Sequence, residues 1–371
     1  MKFSILKRNI EDTVDFLSNY IDNTDSFIPF RCINFELNTS YLTLTSATST
    51  MEAKKVIQVD EDVIQLERTG RMIINANILK NIIKKFDKRI TFDFNDGVVD
   101  IYEGTTRFEL TTIENEKFPI IDFSDSENKF EISSRKFEKV VSDVSVSTSS
   151  LTERLNVVLY KCINLRCNND SKIRFSATDS YRLSTETLSI PKNININATI
   201  DAKNLKKIIT KDAPNKVSIF FNNSKFGVSY ENTVIQTSLL NLNYLDIQPI
   251  LQTEYNKCIT IEKDELSKLI NKAIFINSDK ARRLQFSFKK EGIKVVYEVP
   301  EIGTGEAFTK NYELDGNEFD IDIDYQYIKD AVNVLENGTI KIKVSPREDK
   351  LLFTSNANPE NIQLITPLRR Y

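Results

Sequence analysis

The chain has 371 residues, 40% hydrophobic and 28% charged, with a net charge of −3. That is the make-up of a soluble protein with well-formed cores, not of a disordered chain. It contains no histidine, which excludes Ser-His-Asp and Cys-His catalysis, His-ligated zinc and the usual general base near neutral pH, and leaves an enzyme only carboxylates, lysine or a bound cofactor.

From the N-terminus, KFSILKRNIEDTV reads as a short strand running into an amphipathic helix, with Phe3, Ile5, Ile10 and Val14 on the apolar side. A strand region holding SATSTMEA, Ser46 to Ala53, follows. Next comes IINANILKNII, a second strand-to-helix passage in which Asn75 stands where a side-chain oxygen can cap the first turn. The alternating pair ITFDFNDGVVDIYE closes the first third as a hairpin.

The same plan then recurs twice. KFEISSRKFEKVV, with Phe130, Ile132, Phe137 and Val141, repeats the opening, and NKCITIEKDELSKLI repeats it again with Ile259, Ile261, Leu266 and Ile270. TIDAKNLKKII and DIDIDYQYIKDAV repeat the second helix, with Asp201 and Asp324 in the capping position. VSIFFNNSKFGVSYE and IKIKVSPREDKLLFTS repeat the hairpin. The slot that reads SATSTMEA in the first copy reads SATDSYRLS, Ser176 to Ser184, in the second. Compared without a gap, Tyr181, Arg182 and Leu183 replace Met51, Glu52 and Ala53, so the second repeat is specialised there. The fold class is α+β: three tandem similar domains, each with two helices packed on antiparallel sheets, at 1–125, 126–253 and 254–371.

Lysines recur on the polar side of equivalent helices. Lys80, Lys84 and Lys88 follow one another at four-residue steps, as do Lys203, Lys207 and Lys211, with Lys268 and Lys272 in the third copy and Arg135, Lys136 and Lys139 on the second copy's first helix. Lysine solvates any helix surface, and recurrence in equivalent helices is what points beyond that. Asp320, Asp322 and Asp324 alternate on one strand face, which reads as a solvated face ending in a helix cap rather than a cation site. EIGTGEAF, with Gly303 and Gly305, lacks the GK[ST] ending of a phosphate loop and reads as a loop. Cys32, Cys162, Cys167 and Cys258 form no C-x-x-C pair and read as buried free thiols. No cofactor and no metal are expected. No apolar run approaches the roughly 18 residues that span a bilayer, so the cytoplasm is the expected compartment, with no membrane partner.

The opening MKFSI, the ATDSYRLS element, FPIIDF near Phe118 and the ending LITPLRRY stand in the order and at the spacing of the beta subunit of bacterial DNA polymerase III, the replicative sliding clamp, which the chain resembles over essentially its whole length. The resemblance implies a DNA clamp fold that is ring-forming: two chains join head to tail, helices line the hole and sheets form the outer wall. It implies a non-catalytic processivity subunit for DNA replication, with duplex DNA bound without regard to sequence, a second copy of itself, the polymerase III alpha subunit, the clamp loader and other proteins with clamp-binding linear motifs as partners.

Carried over residue by residue, the family's peptide-binding pocket falls on Val157, Thr178, Tyr181, Arg182, Leu183, Leu245, Ile250, Leu364, Pro367, Leu368 and Arg369. Arg182 and Arg369 are the expected donors to a peptide. Leu245, Pro249 and Lys350 depart from the family's usual residues there. The DNA-facing set is the lysines and arginines above together with Arg154, while Asp25 falls where a basic residue is common. The clamp explains repeats, lysine faces and the specialised slot together, and two other classes predict otherwise. A carboxylate-dependent nuclease would gather acidic residues within one repeat, and no such convergence is present. A scaffold built from the same repeats would differ in not being retained on circular DNA.

Overall fold

The computed structural model describes residues 1–114, 117–124, 126, 128–149, 157–276 and 281–370. In the first third, β1 (Lys2–Leu6) turns directly into α1 (Lys7–Leu17), followed by β2 (Cys32–Leu37), β3 (Tyr41–Ala47), β4 (Met51–Gln58), β5 (Ile64–Arg68), β6 (Gly70–Asn75), α2 (Ala76–Ile83), β7 (Arg89–Asn95), β8 (Val98–Glu103) and β9 (Thr106–Thr111). The middle third contains β10 (Asn128–Ser133), α3 (Ser134–Ser145), β11 (Cys162–Thr178), β12 (Arg182–Asp201), α4 (Ala202–Lys207), β13 (Lys216–Phe221), β14 (Lys225–Tyr230), β15 (Thr233–Ser238) and the short α5 (Gln248–Leu251). The last third runs β16 (Lys257–Glu262), α6 (Lys263–Ala273), β17 (Arg283–Lys289), β18 (Gly292–Val299), β19 (Gly303–Thr309), β20 (Glu313–Asp315), β21 (Phe319–Asp324), α7 (Tyr325–Val334), β22 (Thr339–Val344), β23 (Leu351–Ser355) and β24 (Ile362–Ile365).

The capping residues act as their positions suggest. Asn75 Oδ1 accepts from Ile78 N at 3.1 Å, Asp201 Oδ1 from Lys203 N at 2.8 Å, and Asp324 Oδ1 from Gln326 N at 2.8 Å. Each satisfies an amide that the first helical turn leaves open. The helix that follows buries one stripe: Ala76, Leu79, Ile82 and Ile83 in α2, and Tyr325, Ile328, Ala331 and Val332 in α7. Each Leu, Ile or Val among them contributes about 1.5–3 kcal/mol when fully buried.

The chain forms two compact units, residues 1–134 with 207–239 and residues 135–206 with 240–371. The first holds a five-stranded sheet, β5-β1-β7-β8-β9, and an eight-stranded sheet, β10-β13-β14-β15-β4-β3-β2-β6. All of their named pairings are antiparallel. Phe3 stacks on Phe92 at 5.1 Å in its core. The second unit holds a seven-stranded sheet, β11-β12-β24-β23-β22-β16-β20, and a four-stranded sheet, β19-β18-β17-β21. Leu266 and Ile270 of α6, Phe286, Tyr297, Ile323 and Ile328 share its main core. The middle third is therefore divided by pairing: β15 joins β4, and β12 joins β24.

Three expectations are corrected. The EIGTGEAF stretch is a strand, β19, and not a loop. A Cβ at Gly305 would lie 2.1 Å from Ala273 O, so glycine is needed where this strand passes the end of α6. The face carrying Asp320, Asp322 and Asp324 is solvated only at Asp320, since Asp322 and Asp324 are buried and each has donors of its own, Asp324 as the expected helix cap. The lysine rows also outrun their helices. α2 ends at Ile83 and α4 at Lys207, leaving Lys88 and Lys211 beyond the helical turns.

Candidate functional site

The ATDSYRLS element is a β-hairpin end held by its own side chains. Thr178 Oγ1 donates to Arg182 O at 2.6 Å and accepts from Ser180 N at 3.1 Å. Asp179 Oδ1 accepts from Tyr181 N at 3.0 Å and Arg182 N at 3.1 Å. These bonds hold Ser180 at φ +77°, the left-handed region that a tight turn requires. Arg182 completes the turn: its Nε donates to Asp179 Oδ2 at 3.0 Å, its Nη1 to Asp330 Oδ2 at 2.7 Å, and its guanidinium lies 4.4 Å from the Tyr327 ring centre. Two carboxylates and a ring thus already engage Arg182, and a bound peptide would share this guanidinium with them.

Strand alternation turns Leu183 to the other face. There it is opposite Leu364 of β24, and the two pack with Ile247, Ile250 and Leu251 from the segment around α5. Of the expected pocket, Leu183, Ile250 and Leu364 are brought together. Ile247 and Leu251 were missed, although DIQPIL shows the three- and four-residue spacing of a helical apolar stripe. Tyr244 was missed too. Its hydroxyl accepts from Thr178 N at 3.1 Å, tying the linker to the hairpin, and burial pushes that hydroxyl's pKa up.

Val157, Tyr181 and Leu245 are 43%, 55% and 50% exposed and stand outside the packed cluster. Pro367 and Leu368 are half-buried and Arg369 is exposed. The C-terminal segment is fastened at both ends: Thr366 N donates to Tyr181 O at 2.9 Å, and Leu368 N donates to Asp322 O at 2.7 Å. Lys350 turns to Thr253, donating to its hydroxyl at 3.1 Å. On the Arg182 side of the hairpin lies a polar cleft of about 410 Å³, lined in part by Asp179, Arg182, Lys206, Arg282, Tyr327 and Asp330. Burial pushes the Tyr327 hydroxyl up to about 12 and lowers the Lys206 ammonium.

The basic set is less uniform than its spacing suggests. Lys84, Lys88, Arg135, Lys136, Lys203, Lys207, Lys211, Lys268 and Lys272 are exposed. Lys80 pairs with Asp15 of α1 at 2.9 Å. Lys88 lies in a turn whose amides at Asp87, Lys88 and Arg89 donate to the Glu103 carboxylate, and these bonds hold Glu103 below its ordinary pKa. Lys139 is drawn into a carboxylate cluster, donating to Asp143 and, at 3.1 Å, to Glu336. Beside it Glu186 is buried, its Oε1 accepting from Asn358 at 2.8 Å, and burial, followed by the neighbouring Asp143, pushes its carboxyl up to about 7. Asp143 is raised as well, chiefly by burial. Arg154 lies outside the described residues. Asp25 caps its own loop, with Oδ1 accepting from Phe27 N at 2.8 Å and its carbonyl accepting from Arg31 Nε at 2.7 Å. Among the described residues, no group of three acidic or thiol side chains is arranged to hold a metal ion, and no helix is long and apolar enough to cross a membrane.

Known proteins match the chain from end to end. The N-terminal, central and C-terminal domains of the DNA polymerase III beta subunit match residues 1–122, 131–246 and 248–369. The beta sliding clamp of Mycoplasmopsis pulmonis is 23% identical over 363 residues, covering 94% of this chain and 96% of the relative. The DNA polymerase sliding clamp from Bacillus subtilis superposes with a TM-score of 0.92 at 20% identity over 100% of both chains. A sliding clamp from Pseudomonas aeruginosa bound to griselimycin does so with a TM-score of 0.87 at 17% identity, again over 100% of both. With all three domain models matched in order, the chain belongs to the DNA polymerase III beta subunit family, the sliding clamps of DNA replication.

Proposed function

We propose that two copies of the chain close head to tail into a ring around duplex DNA and tether the replicative polymerase to its template, without catalysing a reaction themselves. The observation that carries this reading is the ordered match of all three clamp domains to one chain. The exposed lysines on α4 and α6, with Lys84 just past the end of α2, support it, since they attract phosphate without reading bases, as a protein that slides over any sequence requires. Two unlike sheet edges support ring closure. β9 ends the five-stranded sheet and β19 the four-stranded one. Phe308 of β19 and Ile302 just before it are exposed, and an unpaired apolar edge invites pairing. Joining β9 of one copy to β19 of the next, twice, satisfies both edges and closes the assembly.

The cluster of Leu183, Ile247, Ile250, Leu251 and Leu364 is the proposed dock for short apolar peptide segments of the polymerase, the clamp loader and other partners. In the test, the protein is loaded on nicked circular DNA by a clamp loader, and its retention is followed before and after the circle is cut. Retention on the circle and release on cutting are expected, with a dimer by light scattering at micromolar concentration. A monomer, or equal retention on linear DNA, would refute the ring.

A further inference from the structure

Asp322 lies near the end of β21 with only 3% of its surface exposed, yet three guanidinium nitrogens reach its carboxylate. Arg283 Nη1 of β17 donates to Oδ2 at 2.7 Å, while Arg370 Nε and Nη2 donate to Oδ1 at 2.8 and 2.7 Å. Arg283 Nη2 also donates to Arg369 O at 3.2 Å. With the bond from Leu368 N to Asp322 O, three contacts gather Leu368 and Arg370 onto this one aspartate, and Arg283 bridges it to Arg369. Past Ile365 the chain has left its strand, so these contacts, together with Thr366 N on Tyr181 O, fix where Pro367 and Leu368 stand.

We propose that Asp322 is a positioning residue of the peptide dock: by anchoring Arg370 and Leu368 it holds the C-terminal segment as one wall of the site, without touching the peptide. This rests on the docking role given to Leu183 and Leu364 above. The physics is that of a buried carboxylate whose charge is met by two arginines, each partly exposed and mobile unless held. Neutralising it leaves shape, packing and the backbone bond of Leu368 in place and loosens the hold on Arg370 and Arg283, and with it the end of the segment.

The test titrates a labelled synthetic peptide, carrying two leucines and a C-terminal phenylalanine, against full-length variants by fluorescence anisotropy. Asp322→Asn is expected to weaken binding about tenfold, the effect of one lost charge-assisted contact. Arg370→Gln should weaken it less. The double variant should bind no worse than Asp322→Asn alone, since both changes release one contact. Carboxypeptidase should also shorten Asp322→Asn faster than the unmodified chain, a readout that general loss of packing, followed separately by thermal melting, does not mimic. Unchanged affinity in Asp322→Asn, or full additivity with Arg370→Gln, overturns the positioning role. Loss on Leu183→Ala with none on Asp322→Asn leaves the dock standing and removes only Asp322; no loss with either removes both.

Discussion

Replacing Glu186 by glutamine should stabilise the protein above neutral pH and change little near pH 4. Glu186 is buried on β12, with Asn358 on one oxygen, no partner on the other, and the charge of Asp143 nearby. Its carboxyl is pushed from the ordinary 4.5 up to about 7. Below the ordinary value, folded and unfolded chains both hold the proton, and the stability contribution is fully present. As pH rises, the unfolded chain releases the proton first, so stability falls until the folded chain releases it too, near pH 7. At about 1.4 kcal/mol per pKa unit, the loss approaches about 3 kcal/mol by pH 8. Glutamine cannot ionise and can still accept from Asn358. Urea unfolding of both proteins at pH 4.5, 6 and 8 measures the difference. Stability curves that run parallel across this range, or a glutamine variant weaker at pH 8, would refute the reasoning.

Leu183→Ala removes one of the three buried members of the apolar cluster and should weaken binding of a leucine-bearing peptide by about 1–3 kcal/mol, with assembly unaffected; peptide titration beside light scattering checks both. Changing Lys84, Lys203, Lys207 and Lys268 together to glutamate should abolish salt-sensitive binding to linear duplex DNA while leaving the thermal transition in place. Unchanged binding in a filter assay at low salt would remove these helices from the DNA interface.

What the sequence conveyed clearly was what short-range chemistry decides. Asn75, Asp201 and Asp324 cap their helices because an oxygen before an apolar stripe has one economical partner, the free first-turn amides. Alternation marked the strands but could not tell which face is wet, and so Asp322, buried by a C-terminal segment distant in sequence, read as solvated. Four-residue spacing carried the lysine rows past the true helix ends at Ile83 and Lys207. Arg182 read as available to a ligand because its partner Asp330 stands far along the chain.

The comparison of the two SAT slots shows how one site arises from a repeated plan. Ala47 pairs with Glu52, whereas Ala177 pairs with Ser184, with Thr178 and Leu183 forming an extra pair beyond it. Thr48 N bonds Met51 O in the first hairpin, and Asp179 N bonds Arg182 O in the second. The second hairpin is thus longer by one residue on each strand, and Leu183 occupies the place of Met51, not of Ala53. Both are buried, so an apolar residue at the hairpin base is common to the plan. The difference lies in what meets it. Met51 is opposite Thr237, and the neighbouring linker is closed by polar contacts: Lys225 Nζ and Gln236 Nε2 both donate to Asp122 O, at 2.6 and 2.9 Å. Leu183 is opposite Leu364, and its linker brings Ile247, Ile250 and Leu251. An apolar ligand at the first junction would have to break the bonds to Asp122 and leave buried polar groups unpaired. At the second no such polar closure has to be broken. The proposed dock therefore draws on strand, linker and hairpin together, and exchanging Thr237 for leucine alone would leave the polar closure of the first junction intact.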